Sequence, residues 1–196
     1  MQDDEAPRKM ILLDPDLDPD PVPRSAAEKP VAGAKTPNLR MPSTRSLAQF
    51  LKQTTLAVRL RGQVSVLLTT DTTQRSLNRR FRGKNKSTDV ISFPADGSAP
   101  GAEKIAGDLS ISVPMARRQA AQQGHSLATE IKVLMLHGVL HLAGYDHERD
   151  TGEMARRERT LRTRLGLPGG LIERTENAQS LSVKSQLTPR AKRQRI

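Results

Sequence analysis

His137-Gly-Val-Leu-His141-Leu-Ala-Gly144-Tyr-Asp-His147 holds three of the chain's four histidines within eleven residues. An apolar stretch leads into it through Ile131, Val133, Leu134, Met135 and Leu136, and Ser126 stands before that stretch. The pattern predicts a helix from Leu127 to about Ala143 with Ser126 as its N-cap. Histidines four apart on a helix share a face, with Cβ atoms about 5–6 Å apart, so two ring nitrogens can meet one ion. Gly144 falls where a helix C-terminus takes a left-handed residue, which lets the chain turn and bring His147 back over the helix end. Three neutral imidazoles with an open fourth position are the pattern of a catalytic zinc site, not of a closed structural one. The alternative is a set of core histidines. Two imidazoles buried in so apolar a helix need polar partners, and one shared metal serves both. His125 follows Gly124 at a helix junction and reads as exposed.

Outward from this helix the chain reads as α+β. Met10-Ile11-Leu12-Leu13 is a short strand-like run, followed by Pro15, Pro19, Pro21 and Pro23 interleaved with aspartates, so residues 14–44 read as an extended linker. A helix is expected from Ser43 to about Leu60, with Leu47, Phe50 and Leu51 on its inner face, then a buried strand at Val64–Leu68. Asp71 is expected to cap a short helix that carries Leu77 and Phe81. Strands follow at Thr88–Phe93 and Ile105–Val113, separated by a turn from Asp96 to Gly101. Pro114 opens a helix that Gly124 ends, and Asp150 with Glu153 reads as a capping box for a last helix to about Leu165. A small mixed sheet covered by helices is the architecture this order predicts. Three segments are expected: an N-terminal edge strand and Pro/Asp-rich linker over 1–42, a metal-dependent domain over 43–174, and a basic disordered tail over 175–196.

Composition narrows the function. The chain has 196 residues, 35% hydrophobic and 27% charged, so part of it is expected outside a packed core. The absence of cysteine excludes disulfides, thiolate nucleophiles and cysteine-held metals. Phe50, Phe81, Phe93 and Tyr145 are the only aromatics, which argues against multi-ring stacking platforms for nucleic acid. No apolar run approaches the roughly 20 residues of a membrane span. The opening Met-Gln-Asp-Asp-Glu lacks the features of a signal peptide, so a cytosolic location is expected. The net charge of +11 is uneven: residues 1–42 carry −2, 43–174 carry +9 and 175–196 carry +4. A basic domain favours an anionic partner, RNA being a common large one, though a solvated basic surface gives the same count. The tail is expected to add salt-sensitive, sequence-independent RNA affinity.

The spacing H-x-x-x-H-x-x-G-x-x-H also occurs in metzincin metalloproteases, whose second position is the glutamate that activates water. Here that position is Gly138, which argues against peptidase chemistry and is expected to leave room for a bulkier, charged substrate. The run resembles instead the YbeY family of bacterial endoribonucleases, whose signature H-G-x-L-H-L-x-G-Y-D-H it matches at every specified position. Two more segments resemble the family: Leu77-Asn78-x-x-Phe81-Arg82-Gly83-Lys84 with Thr88-Asp89-Val90-Ile91-Ser92-Phe93-Pro94, and Gly107-Asp108-Leu109. The resemblance covers about 45–170.

It implies an α+β fold with a zincin-like metal-binding helix, and one zinc ion held by His137, His141 and His147. It also implies action on single-stranded RNA in 3′-end maturation of small-subunit ribosomal RNA and in ribosome quality control. Small-subunit components would be the partners, and Arg82 would be functionally important. The chemistry agrees. Zinc polarises a phosphoryl oxygen and lowers the pKa of bound water to about 7, and the planar fork of Arg82 suits two phosphate oxygens. Lys84 and Lys86 on the same loop are candidate substrate-binding groups; the alternative is a solvated basic loop. Asp89 and Ser92 are expected to stabilise their strand. Asp146 either orients a histidine or caps the turn, with the turn favoured. Two other functions compete with the endoribonuclease: a non-catalytic ribosome assembly factor with structural zinc, and a metalloprotease-type hydrolase.

Overall fold

The computed structural model describes residues 10–18, 37–95 and 104–168. Residues 19–36 of the linker expected over 14–44, the Asp96–Gly101 turn and the basic tail lie outside the described residues. Strands β1 (Ile11–Leu13), β2 (Gln63–Thr69), β3 (Val90–Pro94) and β4 (Ile105–Ser112) form one sheet in the order β1-β2-β4-β3. β1 and β4 flank β2 in parallel, and β3 pairs antiparallel to β4 along the far edge. Among the described residues five helices accompany it: α1 (Thr44–Val58), α2 (Asp71–Arg82), α3 (Val113–Gln123), α4 (Leu127–Leu142) and α5 (Glu153–Leu165). The α+β class, the mixed sheet and the edge strand at 11–13 are as the sequence predicts.

The two sheet faces differ because the alternating residues of the central strands differ. Val66 stands opposite Leu109 and Leu68 opposite Ile111, so four buried apolar side chains share one face. α4 lies on that face, and it also packs against α1, α3 and α5. This explains why its composition is apolar nearly all round. Ser126 caps it by accepting from Thr129 N at 3.1 Å, as expected.

The opposite face of β4 presents Ser110 and Ser112, and α2 is docked there by polar groups. Ser110 Oγ donates to Gln74 Oε1 at 2.6 Å, and Gln74 Nε2 donates to the Ser110 carbonyl at 3.1 Å. Ser112 Oγ donates to Asp71, whose other oxygen accepts from Arg118 at 2.8 Å. The buried residues of this helix are therefore Gln74 and Asn78, and Phe81 is 56% exposed. Asp71 is not the cap. Thr70 holds that position and accepts from Thr73 N at 3.2 Å.

Two further expectations change. Asp150 accepts from Gly152 N, Glu153 N and Met154 N at 2.7, 3.0 and 2.9 Å, so it does satisfy the start of α5. The reciprocal half of a capping box is not available, because the Asp150 N–H already donates to the Asp146 carbonyl at 2.9 Å. His125 is not free at the surface: its side chain is 15% exposed, and Nε2 lies 2.9 Å from the buried Glu130 carboxylate.

At Gly138, α4 lies tight against the sheet. A Cβ there would lie 2.7 Å from Leu109 Cδ2 and 3.3 Å from Ser92 Oγ. Ser92 Oγ also donates to the Gly138 carbonyl at 3.2 Å. The expected room for substrate is thus corrected, since the space beside this residue is filled by the sheet. Overpacking costs about 1–3 kcal/mol, against about 1 kcal/mol that alanine returns in helix propensity. Gly138→Ala is expected to lower the urea midpoint, with a net loss on the order of 1 kcal/mol at unchanged m-value.

Candidate metal centre

α4 delivers His137 and His141 from its last two turns. Gly144, at φ +91°, turns the chain, and the segment after it returns His147 to the pair. The 145–150 turn is held by Asp146: its Oδ1 accepts from Glu148 N at 3.1 Å, and its carbonyl accepts from Arg149 N at 3.0 Å. Asp146 is expected from the sequence to cap the Gly144 turn; the turn that it orders is the next one along the chain.

One ligand atom from each of His137, His141 and His147 lies within 4.8 Å of the others, so the three could hold a metal ion. Their ring centroids are 4.8, 5.4 and 5.3 Å apart, and Nε2 of His137 and of His141 approach to 3.1 Å. His137 is buried, and its Nδ1 sits 3.0 Å from Glu158 Oε2. Glu158 also accepts from Arg162 Nε at 2.8 Å through its other oxygen, and Arg162 Nη1 donates to the Pro168 carbonyl at 2.9 Å. Burial pushes the Glu158 carboxyl up, but the hydrogen bond and charge of His137, together with Arg162, outweigh it and bring the group down to about 2. An ionised Glu158 only accepts, so Nδ1 of His137 donates to it and Nε2 is the ring nitrogen turned to the cluster. Burial, then the neighbouring His137 and His147, lower His141 to about 4, so it is neutral at pH 7.

These residues fit a metal. Neutral imidazoles are good zinc donors. His147 Nδ1 is buried with no hydrogen-bond partner among the described residues. Nε2 of His137 and Nε2 of His141 converge to 3.1 Å, within reach of one shared ion.

The histidines open into a groove of about 1390 Å³ that runs along the free edge of β3. Arg82, Lys84 and Lys86 line it, so the basic loop and the histidine cluster face one space. All three cations are exposed. The loop is tied to its helix by Asn78, which is 2% exposed and donates from Nδ2 to the Lys86 carbonyl at 2.7 Å. Asp89 accepts from Val90 N at 2.9 Å and from Gln119 at 3.0 Å, which fixes the start of β3. Asn78, Glu158 and Arg162 went unassigned in the sequence. The Glu158/Arg162 pair has the i,i+4 spacing of an ordinary surface ion pair, so its burial left no local signal.

Comparison with known proteins adds an independent line. The family model described as Endoribonuclease YbeY matches residues 31–166. An Endoribonuclease YbeY of Koribacter versatilis is 51% identical over 144 residues, covering 72% of this chain and 90% of the relative. That of Solibacter usitatus is 48% identical over 139 residues, covering 71% and 88%. A solution structure of a Thermotoga maritima protein aligns with a TM-score of 0.45 at 23% identity, over 80% of this chain and 99% of that one. The histidine signature, the loop segment before β3 and the matched span coincide, and the chain belongs to the endoribonuclease YbeY family.

Proposed function

We propose that this protein is a zinc-dependent, single-strand-specific endoribonuclease that works in the cytoplasm. Its role is 3′-end maturation of small-subunit ribosomal RNA and ribosome quality control, with small-subunit components as partners. The observation that carries this reading is the sharing of one groove by a three-histidine cluster and the exposed cations Arg82, Lys84 and Lys86. Family membership supports it.

His137, His141 and His147 would hold the ion, which when bound supplies Lewis acidity toward a phosphoryl oxygen and water. Glu158 keeps the His137 proton on Nδ1 and so keeps Nε2 available. Arg82 grips the scissile phosphate through two of its oxygens and offsets the charge that grows on them in the transition state. Lys84 and Lys86 bind flanking phosphates as point charges. Among the described residues no helix is long and apolar enough to cross a membrane. Gly138 supplies no carboxylate where a metzincin peptidase has its base, which disfavours the protease reading.

The test is cleavage of a labelled precursor carrying the small-subunit ribosomal RNA 3′ end by wild type and Arg82→Ala, with zinc content measured in both. Arg82→Ala is expected to cut about 10²–10³-fold more slowly, the usual cost of one charge-stabilising donor, at unchanged zinc content. Equal cleavage by both would remove Arg82 from the chemistry. No cleavage by either protein would favour an assembly factor whose zinc is structural. Lys84→Ala and Lys86→Ala are each expected to weaken binding uniformly across sequences and to reduce the salt slope by about 1.

A further inference from the structure

Phe81 lies outside the buried core. It is the last apolar residue of α2, yet that helix is docked through Gln74 and Asn78, and Phe81 remains 56% exposed. Its ring makes an edge contact with Phe93 of β3 at 5.0 Å between centroids, at an interplanar angle of 73°. The Arg80 guanidinium lies 5.3 Å from the Phe81 centroid. Both phenylalanines line the groove that holds the three histidines, next to Arg82, Lys84 and Lys86. An exposed aromatic ring, braced by a second ring and a guanidinium and set among cations, has apolar and π surface to offer together with electrostatic attraction for an anion. A single-stranded nucleic acid presents both complements, base faces and phosphates. The groove, at about 1390 Å³, also exceeds the roughly 300–1,000 Å³ of small-molecule pockets, as a polymer site requires.

We propose that Phe81, steadied by Phe93 and Arg80, is a nucleobase-stacking subsite that holds an unpaired base of the RNA strand in the groove. The proposal rests on the endoribonuclease reading and deepens it. Stacking needs an unpaired base, so this subsite selects single strands over duplex without reading sequence. The scarcity of aromatics argued against a multi-ring platform; one ring in the right groove is enough for one base.

The test uses the full chain, metal-loaded, and a 2′-O-methylated 12-nucleotide single strand that carries 2-aminopurine. A second strand has the same phosphates but abasic sugars. Wild type is expected to quench the 2-aminopurine and to bind the base-bearing strand more tightly than the abasic one. Phe81→Leu keeps an apolar cover for Phe93 but has no ring. It is expected to lose the quenching and five- to 150-fold in affinity for the base-bearing strand, about 1–3 kcal/mol of stacking. Its affinity for the abasic strand and its zinc content are expected to match wild type, and Phe81→Trp is expected to restore quenching. Equal affinity of wild type and Phe81→Leu for the base-bearing strand would overturn the proposal, as would an equal loss on both strands. If wild type binds both strands alike and salt-sensitively, the stacking subsite fails while the ribonuclease reading stands. If wild type binds neither, both fail.

Discussion

A His141→Ala variant is expected to purify folded but without metal, and its RNA cleavage is expected to disappear with the metal. His141 is half-buried at the last turn of α4, with Nε2 3.1 Å from Nε2 of His137, so it is a member of the cluster more than of the core. Burial and the two neighbouring imidazoles lower it to about 4, which keeps it neutral and ligand-competent at pH 7. Removing it leaves two histidines for an ion that takes three protein ligands in catalytic sites. Affinity should then fall by more than the roughly 10–100-fold that loss of an outer partner costs. Two measurements check this. Metal content after dialysis should be stoichiometric in wild type and near zero in the variant. Added zinc should raise the unfolding temperature of metal-stripped wild type, because it binds only the folded state, and leave that of the variant unchanged. Equal metal retention by both proteins would remove His141 from the ligand set.

Some of this centre could be read directly from the sequence, and the reason is geometric. His137 and His141 are one helical turn apart, Gly144 is the one residue type that adopts φ +91° without strain, and His147 follows three residues later. Each step is local, so the spacing alone brings the rings together. The strands and helix ends were readable for the same reason: Ser126, Pro114 and Gly124 act on their own turns. The misread positions depend on what lies across the fold. Asp71 reads as the cap of α2, but the sheet face below that helix presents Ser110 and Ser112, and those hydroxyls engage Gln74 and Asp71 instead. Gly138 reads as open space until Leu109 is seen to fill it. His125 follows a helix-stopping glycine, yet it packs against Glu130 from the next helix.

Glu158 is the other residue whose loss should be felt most, and its two nearest variants should separate stability from metal binding. Glu158 is 1% exposed and joins the buried Arg162 to the ligand His137. Glu158→Ala deprives a guanidinium that is 2% exposed of its carboxylate, so a loss of about 3–5 kcal/mol is expected. Glu158→Gln keeps the volume but not the charge, and its amide group must turn an N–H toward one of two donors, Arg162 or His137 Nδ1. It should therefore stay folded at reduced stability, hold zinc about 10–100-fold more weakly and retain the three ligands. The pH dependence follows from the sign of the shift. The carboxyl has a folded pKa of about 2 against an ordinary value of 4.5, so its contribution is complete above about 4.5 and is lost as pH falls toward 2. The stability difference between wild type and Glu158→Gln, measured by urea unfolding of the metal-free proteins, should be constant near neutrality and shrink across that acid window. A difference that persisted unchanged to pH 2 would mean that the buried carboxylate is not what joins α5 to the metal centre.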